Sequence, residues 1–425
     1  MNPITFAFQI ALGLSLLVLA AAAVFKAPRL RWLAAALPQS RIGRGVTGGV
    51  LLIAGLATFL GAAVPFLAFF ASCAGFACSA FIALRMTLAK LPTRWPLPTA
   101  MAAASVAVAI SQPLGLKVLA LPKAAELPYV AAPARVVKTY EEGLWFEGIA
   151  AGHDGTLYMS ANRDLDFARS DYYRSAQGEV LVRRANGDER ILFKTPKGST
   201  AGVIAVANDG SLYMASHGRA PTIWHIQTDG QADKVAELPH GAWPNGLDIG
   251  PDGKLYSPDS ALGLIWRIDP VTKRADRVIE SHALTARPFI SLAPGANGLH
   301  FKGRDMYVTV SDRTTVLKFV MDESGKFGTP TLFATGIPGD DFAIGHDGSL
   351  FIATHPYNTL VRVAPGGERT IIGNAAQHIV GATDAIFGKG PDDRNTLYVV
   401  TDGGAFTGGP KARGELVALQ PYGQK

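Results

Sequence analysis

Acidic residues are missing from the first 121 positions, which carry nine Lys or Arg and no Asp or Glu. The net charge of +6 therefore belongs to this part, and the remainder sits at about −3. A pI near 9.2 would ordinarily raise nucleic acid as a partner. Here the basic residues fall between apolar runs, where topology accounts for them, so nucleic acid is set aside. Cysteine is nearly absent as well. The chain has two, Cys73 and Cys78, both inside an apolar run. That excludes a disulfide framework, and a bridge between residues five apart on one helix is geometrically poor.

What fills the acid-free part is hydrophobic. Four apolar segments, at about residues 4–25, 46–64, 65–85 and 97–116, each approach the roughly 20 residues that span a bilayer core as helix. Pro65 suits a tight turn between the second and third. The first segment lacks a basic leader and is followed by three more, so it is expected to be retained rather than cleaved. Lys26, Arg29, Arg31, Arg41 and Arg44, and then Arg85, Lys90 and Arg94, mark two loops as cytoplasmic by the positive-inside rule. The expectation is an integral membrane protein with four spans in the inner or plasma membrane. Both termini and everything after residue 121 would lie on the periplasmic or extracellular side. Residues 122–133 read as a linker. The four-span pattern with its basic first loop resembles the DoxX-like membrane family.

From residue 138 the chain repeats itself. The unit is an apolar strand, an Asp-Gly or similar turn, then Leu-Tyr and a second apolar strand: EGIAAGHDGTLYMSAN (147–162), GVIAVANDGSLYMASH (202–217), NGLDIGPDGKLYSPDS (245–260), NGLHFKGRDMYVTVSD (297–312) and DDFAIGHDGSLFIATH (340–355). A looser sixth copy spans 382–402. Asp-Gly between alternating apolar runs predicts a hairpin with a type I′ turn. A third strand follows each hairpin and a fourth follows most. Six units of four strands, spaced by 45–50 residues, predict an all-β six-bladed β-propeller over residues 134–425. ARVVKTY (134–140) can supply the outer strand that the last blade lacks.

Aligning the repeats on Leu-Tyr places one residue of each blade at the start of its innermost strand: Glu147, Gly202, Asn245, Asn297, Asp340 and a position near Thr383 or Asp384. Inner strand starts converge on the central channel. Two carboxylates and two amide carbonyls on one face suit a hard divalent cation. Calcium is the first expectation, with magnesium, manganese or zinc behind it, and Glu147, Asn245, Asn297 and Asp340 as ligands. The alternative is that Asn and Asp open these strands only as turn residues. Second strands return toward the same face and end in Asn162, His217, Asp259, Asp312, His355 and Asp402. His217 and His355 are candidates for proton transfer, because an unperturbed imidazole titrates near neutrality.

With its Glu-Gly, Asn-Gly-Leu, Asn-Gly-Leu and Asp-Asp-Phe strand starts, this repeat resembles the gluconolactonase or regucalcin-like propellers. The resemblance implies a catalytic divalent metal on Glu147, Asn245, Asn297 and Asp340, with Asn245 also facing substrate, and hydrolysis of a lactone or related ester. Where lactonases of that family often have Arg-Pro-Asn-Asp, this chain has Trp243-Pro244-Asn245-Gly246. Trp243 would make the rim more apolar. Asp340, His217 and His355 are the expected catalytic groups, and Asn245, Trp243 and Asp312 the substrate-binding ones. A calcium-stabilised binding module without catalysis is the competing expectation, because propellers serve both uses.

Overall fold

The computed structural model describes residues 12–21, 41–60, 73–77, 80, 102–103, 105–106, 122–165, 173–287, 294–405 and 409–423. The chain divides into two compact units, and one of them comprises Pro122–Arg287 with Ala293–Lys425.

In the N-terminal unit the helix Arg41–Leu60 is described in full. It differs from the expectation at its start, because Arg41 and Arg44 lie in its opening turns instead of a loop. Gly55 lets it approach the helix of residues 12–21, since a Cβ there would meet Leu17 Cδ2 at 2.9 Å. Among the described residues no helix is long and apolar enough to cross a membrane. The expected four spans are therefore not supported. The greater part of three of them, residues 4–25, 65–85 and 97–116, lies outside the described residues.

The described residues after 121 form six four-stranded antiparallel sheets. Blade 1 is Trp145–Ala151, Leu157–Arg163, Gln177–Arg183 and Glu189–Lys194. Blades 2 to 5 follow with inner strands Ile204–Val206, Asp248–Ile249, Ala296–Lys302 and Phe342–Ile344. Blade 6 consists of Ala382–Phe387, Leu397–Thr401 and Arg413–Leu419, with Ala134–Glu142 as its outer strand. Each inner strand touches those of its two neighbours, from blade 1 round to blade 6 and back, which closes the ring. The core is correspondingly divided: each seam between adjacent blades has its own apolar cluster. Val203, Leu255 and Trp266 fill the seam of blades 2 and 3, and Phe351, Ile379 and Val417 that of blades 5 and 6. This is the economy of face-to-face sheets, in which alternate side chains of every strand meet the next blade.

The Asp-Gly hairpins form, but not as type I′ turns. Gly155, Gly210, Gly253 and Gly348 have φ of 80°, 83°, 72° and 81°, while the preceding Asp stays at negative φ. The reason is visible in Asp154, Asp209, Asp252 and Asp347, each of which accepts the N–H of the residue two ahead through its own carboxylate. That contact holds Asp in a right-handed conformation and leaves only glycine left-handed, as in a type I turn followed by a bulge. The stretch expected as a linker is laid against blade 5. Val130 and Ala132 donate to the carbonyls of Ile371 and Ile372, and Ile371 N–H returns to Pro128.

Closure of the ring is reinforced by charge. Lys138 and Tyr140 on the closing strand both hydrogen bond to Glu189 of blade 1, which Arg183 also contacts at 2.7 Å. Burial pushes the Glu189 carboxyl up, but those three donors outweigh it and hold the pKa below the ordinary value. Glu189→Gln should cost about 1–3 kcal/mol at neutral pH, because three donors lose their charged acceptor. A depressed carboxylate pKa contributes stability that is present above the unfolded pKa and lost as pH falls through the folded one. The difference in melting temperature between wild type and variant should therefore shrink in acid. An unchanged gap from neutral to acid pH would reject the clasp.

Candidate functional site

Local backbone irregularity sets up the axial face. In blades 1, 4 and 6 the ladder between the first two strands skips register at Phe146/Gly148, Ala296/Leu299 and Ala382/Asp384. Glu147, Asn297 and Thr383 sit in these bulges, out of the pairing pattern, and a bulge re-aims a side chain. In blades 3 and 5 the residues at this position precede the strand, and Asn245 and Asp340 donate their N–H to Pro258 and Ala353. Glycines follow three of the four expected ligands because the inner strands crowd together. A Cβ on Gly246 would meet the Asn297 carbonyl at 2.7 Å, and one on Gly148 would meet Val203 Cα at 2.9 Å.

Of the four expected ligands, Asp340 interacts with both Asn297 and Glu147. Asp340 is buried beside Asn297, whose amide hydrogen bonds to it, and its charge and that of Glu147 act on each other. Both amides are tethered from behind. Asn245 Nδ2 donates to Ser260 Oγ at 3.2 Å, and Asn297 Nδ2 to Ser311 Oγ at 2.9 Å. Each serine in turn donates to a carbonyl of the next blade, Ala296 or Gly339. Those serines, at the ends of second strands, escaped the sequence reading because Ser there is unremarkable without its partner. At the sixth position the Thr383 hydroxyl shares its one proton between the backbone carbonyls of Phe146 and Val400.

Two of the strand-start residues, Glu147 and Asp340, carry carboxyls with raised pKa values. Burial pushes the Glu147 carboxyl up to about 7, and Asp402 and Asp341 add to this while His355 opposes it. Burial likewise raises Asp340 well above the carboxylate range, with Glu147 and Asp341 adding and His355 and Asn297 opposing. A bound cation would favour the charged form of both carboxylates. Two acids together with two amides held through their nitrogens form an oxygen-rich donor set that fits calcium or a similar hard ion.

The two histidines separate. His355 Nε2 lies 2.7 Å from Asp402 Oδ2 and its Nδ1 3.6 Å from Asp340 Oδ2. Burial disfavours its charged form, but Asp402, Asp340 and Glu147 outweigh that and raise its pKa to about 9. Those carboxylates favour its charged form, unlike the near-neutral titrating group that its sequence position alone suggests. His217 goes the other way: burial lowers it to about 4, against a backbone hydrogen bond at Ala242 and the charge of Asp259. Neutral His217 is stacked between aromatics, with Trp243 at 5.2 Å and Tyr173 edge-on at 5.1 Å between ring centroids. Trp243 is fixed there by its backbone N–H, which donates to Asp259 Oδ1 at 3.0 Å. Asp312 is occupied: it accepts three hydrogen bonds from Arg287, from the backbone N–H, Nε and Nη2. It anchors that arginine. Arg287 lies outside the repeat, so the alignment had no register in which to find it.

No family model matches the chain, and no curated protein matches its sequence. Among solved structures it is similar to a luciferin-regenerating enzyme, at 16% identity over 69% of this chain and 96% of that one, with a TM-score of 0.52. It is also similar to a putative gluconolactonase, at 16% identity over 70% of this chain and 97% of that one, with a TM-score of 0.50. At this identity the likeness establishes the propeller fold.

Proposed function

We propose that the propeller is a divalent-cation-dependent hydrolase of lactones or related esters, with calcium the first candidate and Glu147, Asn245, Asn297 and Asp340 its ligands. The observation that carries this reading is the pair of carboxylates, half-buried Glu147 and buried Asp340, both raised in pKa and accompanied by the serine-tethered amides of Asn245 and Asn297. A cation bound there supplies Lewis-acid polarisation of a carbonyl oxygen. His355, with Asp402 on Nε2, presents Nδ1 toward Asp340 and is placed to give a proton to a leaving alkoxide. Asp402 fixes the orientation of that ring, as the third member of a relay does. Tyr173, His217 and Trp243 form an aromatic rim that suits an apolar acyl or alkoxy group better than a sugar. The likeness to a putative gluconolactonase agrees with a lactone as the reacting group.

The test is a panel of aliphatic lactones, sugar lactones and aryl esters, assayed on the full chain with and without chelator. Turnover that chelation removes and calcium restores is expected, with apolar substrates ahead of sugar lactones. Metal binding and a chelator-sensitive melting temperature without turnover of any substrate would favour the binding-module reading instead.

We extend the proposal to lipid contact by the N-terminal unit, because Val46, Val50 and Ile53 expose one apolar face of the helix Arg41–Leu60. Resistance of the full chain to alkaline carbonate extraction from membranes is expected. Quantitative release into the carbonate supernatant would reject it.

A further inference from the structure

A second ionisable cluster lies on the inner strands, one to three residues beyond the strand-start positions. Asp248 and His300 come from blades 3 and 4, Asp341 and Asp384 from blades 5 and 6. Among the described residues, His300, Asp341 and Asp384 are a group of three whose potential ligand atoms all lie within 4.8 Å of one another. Asp341 and Asp384 are only 2% and 1% exposed. The ion pairs of Asp248 and Asp341 are both with His300, at 3.4 and 3.1 Å, so two carboxylates share one imidazole.

The hydrogen bonding is incomplete in a way that points to a ligand. Asp341 Oδ1 accepts the N–H of Phe342 at 2.8 Å, whereas Asp341 Oδ2 is buried with no hydrogen-bond partner among the described residues. His300 Nε2 is buried too, and its approach to Asp341 Oδ1 lacks the alignment of a hydrogen bond. Asp384 accepts from Ile149 N–H at 2.8 Å and Ala385 N–H at 2.6 Å, one per oxygen, which leaves each oxygen a lone pair. The backbone makes room for this group: a Cβ on Gly298 would sit 2.5 Å from Asp341 Oδ1. An orphaned buried carboxylate oxygen is costly, and a polar cluster of this kind is stabilised only when each member has a partner.

We propose that His300, Asp341 and Asp384 bind a second divalent cation, distinct from the one assigned to the strand starts. One imidazole nitrogen with two carboxylates suits a zinc- or manganese-class ion, whereas calcium prefers six to eight oxygens. The upper site, with acids and amides only, and the lower one, with its imidazole, would then differ in metal preference along a single channel.

The experiment is metal analysis of the full chain, stripped by chelator, reloaded with calcium together with zinc or manganese and desalted. Two ions per chain are expected for the wild type and one for His300→Gln and Asp384→Asn, while Asp340→Asn keeps the ion at the lower cluster. Because a variant in so buried a place can fail to fold, the wild type is also examined by anomalous diffraction at the zinc edge. A peak between His300, Asp341 and Asp384 is expected. Its absence from zinc-soaked crystals, or a His300→Gln chain that folds and still holds two ions, would overturn the assignment in favour of a closed ion-pair network.

Discussion

Asp340→Asn should lower kcat/KM for lactone or ester hydrolysis by about 10³-fold or more, the scale on which loss of a preorganised electrostatic element is felt. The substitution is isosteric, and the backbone contact from Asp340 N–H to Ala353 is untouched. What changes is charge: the donor set falls from two carboxylates to one, and ligand charge is a main determinant of affinity for a hard cation. The same change removes a buried acid that burial and Glu147 already push toward its neutral form. Without metal, the variant should therefore melt no lower than the wild type. With metal, it should lack the stabilisation that a ligand binding only the folded state confers. Those two results together separate loss of a cation site from loss of the fold. Turnover within a few-fold of wild type would remove Asp340 from the centre of the mechanism.

The repeat made the blades legible because its cues are local: apolar alternation, an Asp-Gly turn and a Leu-Tyr anchor. Closure by residues 134–140 was readable too, since blade 6 had a strand too few. The same register singled out Glu147, Asn245, Asn297 and Asp340 as the residues at the starts of inner strands. What it could not carry was anything that depends on partners far apart in sequence. The pKa of His355 is set by Asp402, 47 residues on, and by Glu147 more than 200 residues back, so its charge state had no local signature. Asp312 looked available because Arg287 sits in an inter-blade segment outside the alignment. The lower cluster of His300, Asp341 and Asp384 is offset by different amounts from the strand starts, and the bulges at Glu147, Asn297 and Thr383 break the register that would have aligned it. The turn type failed for the opposite reason, an excess of local detail, since each Asp side chain competes for the backbone of its own turn. In the N-terminal unit, hydropathy identified apolar segments but not helix boundaries, and Arg41 and Arg44 prove to be helical.

A chain beginning at Gly143 should fail to fold as a monomer, whereas one beginning at Pro122 should keep a cooperative unfolding transition. The closing strand pairs with blade 6 from Ala134 opposite Leu419 to Glu142 opposite Arg413, so its removal strips the whole outer ladder from Arg413–Leu419. It also removes Tyr140, which is 4% exposed and packs edge-on against Phe146 at 4.6 Å in the seam between blades 6 and 1. Loss of one such aromatic costs about 3–5 kcal/mol in a core. Net stabilities run to only about 5–15 kcal/mol, and the ladder and the Glu189 clasp are lost as well. The exposed edge left behind is a template for pairing with another chain, so dimers or aggregates are the expected product in place of an open monomer. Size-exclusion chromatography with thermal melts of both chains measures this directly. If the shorter chain is monomeric and melts within a few degrees of the longer one, closure by Ala134–Glu142 is not what holds the ring, and the seams between blades suffice.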